Sequence, residues 1–590
     1  MVPSSNVSAI PNSFELIRRS AQFQASVWGD YFLSYHSLPP EKGNKVMEKQ
    51  TEELKEEIKM ELVSTTKDEP EKLRLIDLIQ RLGVCYHFEN EINNILQQLH
   101  HITITSEKNG DDNPYNMTLC FRLLRQQGYN VSSEPFDRFR GKWESSYDNN
   151  VEELLSLYEA SQLRMQGEEA LDEAFCFATA QLEAIVQDPT TDPMVAAEIR
   201  QALKWPMYKN LPRLKARHHI GLYSEKPWRN ESLLNFAKMD FNKLQNLHQT
   251  EIAYISKWWD DYGFAEKLSF ARNRIVEGYF FALGIFFEPQ LLTARLIMTK
   301  VIAIGSMLDD IYDVYGTFEE LKLLTLALER WDKSETKQLP NYMKMYYEAL
   351  LDVFEEIEQE MSQKETETTP YCIHHMKEAT KELGRVFLVE ATWCKEGYTP
   401  KVEEYLDIAL ISFGHKLLMV TALLGMGSHM ATQQIVQWIT SMPNILKASA
   451  VICRLMNDIV SHKFEQERGH VASAIECYME QNHLSEYEAL IALRKQIDDL
   501  WKDMVENYCA VITEDEVPRG VLMRVLNLTR LFNVIYKDGD GYTQSHGSTK
   551  AHIKSLLVDS VPLGTGENLY FQGSGGGGSD YKDDDDKGTG

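Results

Sequence analysis

Asp309, Asp310 and Asp313 stand together in the stretch Asp309-Asp310-Ile311-Tyr312-Asp313, at the end of an apolar run from Leu291 to Leu308. The run holds no proline and one glycine, Gly305, and is longer than an ordinary strand, so it predicts a mostly buried helix. Asp309 and Asp313 are four apart and share one helical face, and Asp310 lies three from Asp313. Carboxylates this close raise one another's pKa unless a cation sits between them. Mg²⁺ suits such a place, because it takes one or two carboxylates and fills its other positions with water and phosphate oxygens. A solvated acidic helix end is the alternative reading. An EF-hand loop fits poorly, since Ile311 and Val314 stand where that loop needs a ligand and a glycine.

A second stretch, Arg454 to Glu465, reads RLMNDIVSHKFE. Asn457, Ser461 and Glu465 follow one another at intervals of four, which on a helix makes one oxygen-bearing stripe two turns long. Amide, hydroxyl and carboxylate oxygens all suit Mg²⁺, and Arg454 lies one turn earlier on roughly the same side. Two such faces can hold several Mg²⁺ between them, and the open coordination positions then suit an anion with many oxygens, above all a diphosphate. Upstream, Arg272 and Arg274 are two apart. On a helix they would diverge; in a loop both can reach one anion, and guanidinium binds phosphate bidentately without ever deprotonating.

DDIYD followed by NDIVSHKFE resembles the two metal-binding motifs of plant class I terpene synthases, and the resemblance runs from Arg18 to Leu563. It implies an all-α fold of two helical domains, the C-terminal one a class I terpenoid synthase bundle enclosing the active site. It implies three Mg²⁺, replaceable by Mn²⁺, held by Asp309, Asp313, Asn457, Ser461 and Glu465. Asp309, Asp313 and Asn457 would also meet the substrate's diphosphate, which Arg272, Arg274 and Arg454 would hold as it departs. Arg18-Arg19 and Trp28, spaced RRx8W, resemble a family motif that folds back over the mouth of the site. The helix from Tyr405 to Leu424 is expected to break near Ser412 and Gly414 at the pocket wall. Tyr536 to Thr543 resembles the family's lid, with Tyr536 and Asp540 in a proton-handling network. Phe281 stands where the family usually has tryptophan on the pocket floor, which changes the size of that aromatic face.

The elements that must position these groups are read from pattern and composition. Some 560 natural residues exceed one hydrophobic core, so two domains are expected. Residues 1–17 read as disordered, 18–228 as a helical N-terminal domain with no active site of its own, and 229–563 as the catalytic domain. Residues 564–590 read as an engineered protease site, linker and epitope tag, so the DxDD formed by Asp583, Asp585 and Asp586 carries no meaning for catalysis. Amphipathic periodicity covers Lys42 to about Ala216, including one apolar series from Leu73 to Leu96. The formal charge is −27; the tail's six acidic and two basic residues leave −23 for residues 1–563. Such acidity argues against nucleic acid and anionic membranes as partners. Eight scattered cysteines without CxxC, no transmembrane run free of charges and no convincing transit peptide lead to a cytoplasmic protein without stable membrane insertion; a monomer is expected, though these features leave the oligomeric state open.

The expected chemistry is ionisation of an allylic diphosphate. Positive groups would stabilise the leaving diphosphate, and π faces, with Phe281, Tyr312 and Tyr542 as candidates, would face the carbocation. A sesquiterpene synthase using farnesyl diphosphate is the first expectation. Geranyl diphosphate is the alternative substrate, and a non-catalytic helical scaffold the alternative of another class. A chain-elongating prenyltransferase fits less well, because its second motif would be aspartate-rich. Asp309→Ala or Asp313→Ala should nearly abolish turnover while leaving the helical circular-dichroism spectrum intact; full activity in either variant would remove that residue from the metal site.

Overall fold

A computed structural model describes residues 18, 21, 23–37, 45–105, 113–146, 150–363, 368–514 and 516–563. The expected disordered start, Arg19 and the tag lie outside the described residues. Among those described, every regular element is helical. The chain is the all-α protein that its periodicity predicts.

The first half is a stack of amphipathic helices whose ends follow local rules. Asn113 caps Pro114–Gln127 by accepting from the backbone N–H groups of Tyr115 and Asn116, and Gly128 closes that helix in the left-handed region. Asn150 and Asp192 cap Val151–Ser161 and Pro193–Lys204 in the same way. The apolar series from Leu73 to Leu96 is not one helix. It divides into Glu69–Arg81, a single 3-10 turn at Cys85–His87, and Glu89–Thr105. Periodicity survived the break because both helices turn their apolar faces to one core, which holds Ile76, Ile79, Val84, Phe88 and Leu96.

Helix Pro212–Ser224 and a short connection lead into the 32-residue helix Glu231–Tyr262. The first described residues do not stay with the N-terminal half. The 3-10 helix Tyr31–Ser37 packs on Glu231–Tyr262, and Arg18 reaches Glu320, 302 residues away, through two hydrogen bonds of 2.7 and 2.8 Å. Arg18 also donates to the Tyr315 carbonyl and lies over the rings of Tyr315 and Tyr342.

Around the cavity, Leu292–Asp310 packs against Ile275–Ile285 on one side and His415–Met426 on the other. Asn444–Glu467 packs on Glu486–Glu514 and Arg519–Ile535. Two spans, Pro289–Tyr315 and Val402–Met426, are long and apolar enough to cross a membrane by length and composition, although neither is free of charges: Arg295 and Lys300 lie in the first and Asp407 and Lys416 in the second. Their most apolar windows are 61% and 56% buried, and both spans line the cavity, so their apolar character serves the protein interior. No disulfide forms among the described residues.

Gly425 fixes the closest approach between these helices. A Cβ at this position would lie 2.4 Å from the Ala294 Cα, a backbone atom that cannot swing aside. Gly425→Val should therefore push apart the two helices that carry the first aspartate motif and the pocket wall. Overpacking of this kind costs about 1–3 kcal/mol, and urea unfolding should show it; a midpoint equal to that of the parent chain would disprove the close contact.

Candidate active site

The buried helix Leu292–Asp310 delivers the aspartates, but it does not end as an ordinary helix. At Ile311–Tyr315 it widens into one π-helical turn, closed by the Gly316 N–H on the Ile311 carbonyl at 2.8 Å. A π turn inserts an extra residue and re-aims what lies on it. Asp309, Asp310 and Asp313 all line a cavity of about 230 Å³. The second motif lies on Asn444–Glu467, and Arg454, Asn457 and Glu465 line the same cavity. Phe281, Ser412, Gly414, Tyr536, Asp540 and Tyr542 also line it.

Its mouth is a network of opposite charges. The Arg272 guanidinium meets Asp309 at 2.5 Å and Asp310 at 2.8 Å, and its backbone N–H donates to Asp310 at 2.7 Å. Burial raises the Asp310 carboxyl to about 7 although Arg272 opposes the shift. Asp309 is raised by burial and by the charge on Asp313. Asp313 moves the other way. Burial would raise it, but His470, 3.0 Å from its carboxylate, holds it low. Burial would likewise lower His470, yet Asp313 brings it up to about 10, so the imidazolium form persists.

Arg454 donates to the Ser412 hydroxyl at 3.0 Å, and Ser412 donates to Glu390 at 2.7 Å. Ser412 is thus a relay in the wall. Burial raises Glu390 to about 7, with Arg454 opposing. The wall itself is a broken helix. Val402–Ser412 ends, Gly414 takes φ +78, and His415–Met426 begins. Only glycine adopts that conformation freely, so the kink expected at Gly414 is a full interruption.

The apolar end is aromatic. Phe281 meets Phe532 edge-on with ring centroids 5.7 Å apart and Tyr542 at 5.1 Å, and Phe532 packs on Phe413 at 4.8 Å and on Tyr536 at 5.7 Å. Asp540 accepts from the backbone N–H groups of Tyr542 and Thr543 and so shapes the lid turn that brings Tyr542 inward.

Three expected site residues, Tyr312, Arg274 and Ser461, are not among the cavity-lining residues. Tyr312 is buried beneath the aspartate turn, bonded to Thr325 at 2.7 Å and packed on Phe387, and is not a wall of the cavity. It follows the inward face of its turn, opposite the carboxylates. Arg274 is also outside the cavity lining. The loop does bring both arginines near one another, but Arg274 points into the protein and spends its hydrogens on backbone carbonyls.

The polar turn from Gln466 to His470, which follows the second motif and is expected near the mouth, does bring Arg468 and His470 to the cavity. Sequence reading overlooked Glu390, Phe413 and Phe532, which line it too. Glu390 carried no signal, because it sits within an ordinary amphipathic helix. Phe23 lines the cavity too, in keeping with a folded-back N-terminal segment.

The donors fit Mg²⁺. Ser461 is buried on the Asn457–Glu465 stripe, and its hydroxyl has no hydrogen-bond partner. Asp309 is held in an unfavourable crowd of carboxylates that a divalent ion would relieve. Among the described residues, no three His, Cys, Asp or Glu converge into a complete cage. Incomplete faces are what Mg²⁺ uses when substrate phosphates supply the remaining oxygens.

Two family descriptions match the chain: "Terpene synthase, N-terminal domain" over residues 27–203 and "Terpene synthase family, metal binding domain" over residues 260–503. The chain belongs to the plant class I terpene synthases. It is 89% identical to an alpha-farnesene synthase of Cucumis melo, over 95% of this chain and 100% of that one. It is 46% identical to a (-)-germacrene D synthase of Vitis vinifera, over 95% and 98%. Among solved structures, limonene synthase with 2-fluorolinalyl diphosphate matches at TM-score 0.85 and 30% identity, over 92% of this chain and 100% of that one. Isoprene synthase from grey poplar, in complex with three Mg²⁺ and dimethylallyl-S-thiolodiphosphate, matches at 0.78 and 31%, over 88% and 98%. The enzyme is a sesquiterpene synthase that uses a divalent metal.

Ser461→Ala separates the metal role from a structural one. Removing a buried hydroxyl that bonds nothing should leave thermal stability unchanged or slightly improved. The Mg²⁺ concentration for half-maximal activity should rise about tenfold, the loss of one polar ligand contact. An unchanged Mg²⁺ requirement would take Ser461 out of the metal site.

Proposed function

We propose that this enzyme ionises farnesyl diphosphate and releases an acyclic sesquiterpene, alpha-farnesene, as its principal product. The observation that carries the reading is the 89% identity over the whole length of the melon alpha-farnesene synthase. The geometry supports it by joining a charged mouth to an aromatic, apolar interior in one cavity.

Asp309 and Asp313 on one side, with Asn457, Ser461 and Glu465 on the other, would hold Mg²⁺, three ions in all, with Mn²⁺ able to replace it. Bound metal offsets the negative charge that grows on the leaving diphosphate. Arg272 and Arg454 line the cavity and would donate to the same oxygens, where charge develops in the transition state. Freed of the diphosphate, the fifteen-carbon cation faces Phe281, Phe532 and Tyr542, whose rings stabilise positive charge without attacking it. Proton loss from carbon ends the reaction as a hydrocarbon, provided that water stays out. Tyr536 and Asp540 shape the lid that excludes it, and Tyr536 stands at the cavity for proton handling.

A reducing, cytosolic setting is proposed, in which the eight scattered cysteines would stay as thiols.

Purified enzyme incubated with farnesyl diphosphate and Mg²⁺, followed by gas chromatography, should yield alpha-farnesene as the main peak, and EDTA should abolish it. A cyclic main product would refute the product assignment. Turnover of geranyl diphosphate alone would refute the fifteen-carbon substrate.

A further inference from the structure

The RxR loop contains two arginines of opposite fate. Arg272 lines the cavity and touches the aspartate motif. Arg274 is 3% exposed and donates to four carbonyls: Tyr542 at 3.0 Å, Thr543 at 2.8 Å, Gln24 at 2.9 Å and Asn273 at 3.0 Å. A guanidinium has five N–H donors. Four are therefore committed to backbone, in three separate segments of the chain. Little remains for a diphosphate.

Those segments are the ones that cover the site. Gln24 follows Phe23, and Tyr542 and Thr543 belong to the lid turn. The Phe23 and Tyr542 rings each stand 5.2 Å from the Arg272 guanidinium, one supplied by the N-terminal segment and one by the lid. Tyr542 in turn rests on Phe281. Behind Arg274, the fully buried Glu277 supplies a facing carboxylate. Ser545 and Trp28 turn toward that carboxylate from the lid and the N-terminal segment, without closing to full hydrogen-bond geometry.

We infer that Arg274 is a positioning residue that pins the N-terminal segment and the lid turn to each other over the cavity, and does not bind diphosphate. This deepens the proposed function and rests on it, because a seal matters only where a carbocation must be kept from water. Four charge-assisted bonds into backbone carbonyls, those to Tyr542 and Thr543 buried, fix the backbone on which Phe23 and Tyr542 are carried. When those bonds are lost, the carbonyls must find water, and water enters at the joint. It then adds to the cation, its oxygen forming the new C–O bond and its spare proton passing to the diphosphate, so the product becomes an alcohol.

The test compares R274Q, R274K and R272Q by two readouts: the alcohol-to-hydrocarbon ratio from farnesyl diphosphate, and inhibition by inorganic diphosphate with Mg²⁺ present. R274Q should raise the alcohol share about fivefold or more while diphosphate inhibition stays within about twofold of wild type, since no bond to that anion is lost. R272Q should weaken inhibition about tenfold, the loss of one charged hydrogen-bonding partner. R274K keeps the charge but has one nitrogen to serve three segments, so it should leak as well. Weakened inhibition in R274Q comparable to R272Q, or an unchanged alcohol share, would overturn the inference. Where R274Q does not fold, R274K decides: wild-type product proportions in that variant would mean that charge alone suffices and would overturn it equally. A wild-type enzyme that forms no terpene from farnesyl diphosphate refutes the proposed function instead.

Discussion

Gathering acidic side chains at the mouth of one cavity is the constraint on which this structure depends. Asp309, Asp310, Asp313, Glu390, Asp458 and Glu465 all line one cavity. In the protein interior such charges repel strongly, and burial alone would protonate several of them. Fixed cations therefore thread between them. Arg272 stands against the first pair, His470 against Asp313, and Arg454 between Ser412 and Asp458. Asp458 is itself a structural anchor, accepting from Tyr405 at 2.7 Å and from the Ala474 N–H at 3.0 Å. The arrangement is stable enough to fold, yet several of its oxygens remain poor matches for the protein alone. That residual frustration favours divalent metal at this mouth.

Irregular backbone performs the positioning. The aspartate helix needs its π turn to carry Asp313 toward the cavity while Tyr312 goes under it. The opposite wall needs the left-handed Gly414 to end one helix and start another. The helices between these points are ordinary, apolar and tightly packed, and Gly425 against Ala294 holds them near the contact limit. Regular helices supply rigidity; the two interruptions supply aim.

The sequence made the architecture legible because amphipathic periodicity and helix caps are local. It made the metal motifs legible because their donors are spaced along single helices, which puts Asp309 and Asp313 on one face and Asn457 and Glu465 on another. It failed where direction depends on partners distant in sequence. Two arginines in one loop look equivalent, yet only the lid and Gln24 turn Arg274 inward. Tyr312 lies between two metal-motif aspartates and looks like a pocket residue, but Thr325 and Phe387 claim it. Glu390 joins the site only through tertiary packing, whereas His470 follows the second motif closely enough in sequence to be expected near the mouth. Periodicity also overran the break between Arg81 and Glu89, because both helices face the same core.

The fold-back of the N-terminal segment has a consequence for how the chain is made. Arg18 finds Glu320 across 302 residues, and Gln24 meets Arg274 across 250. Contacts so distant along the chain form late, because loop closure must precede their reward. Arg18 and Gln24 leave the ribosome well before Glu320 and Arg274 and must wait for a mouth that does not yet exist. They settle only after Tyr542 and Thr543 have been synthesised and docked. The sealed site is thus an end-point of folding, and a chain still growing holds its acidic helices without the means to run the reaction.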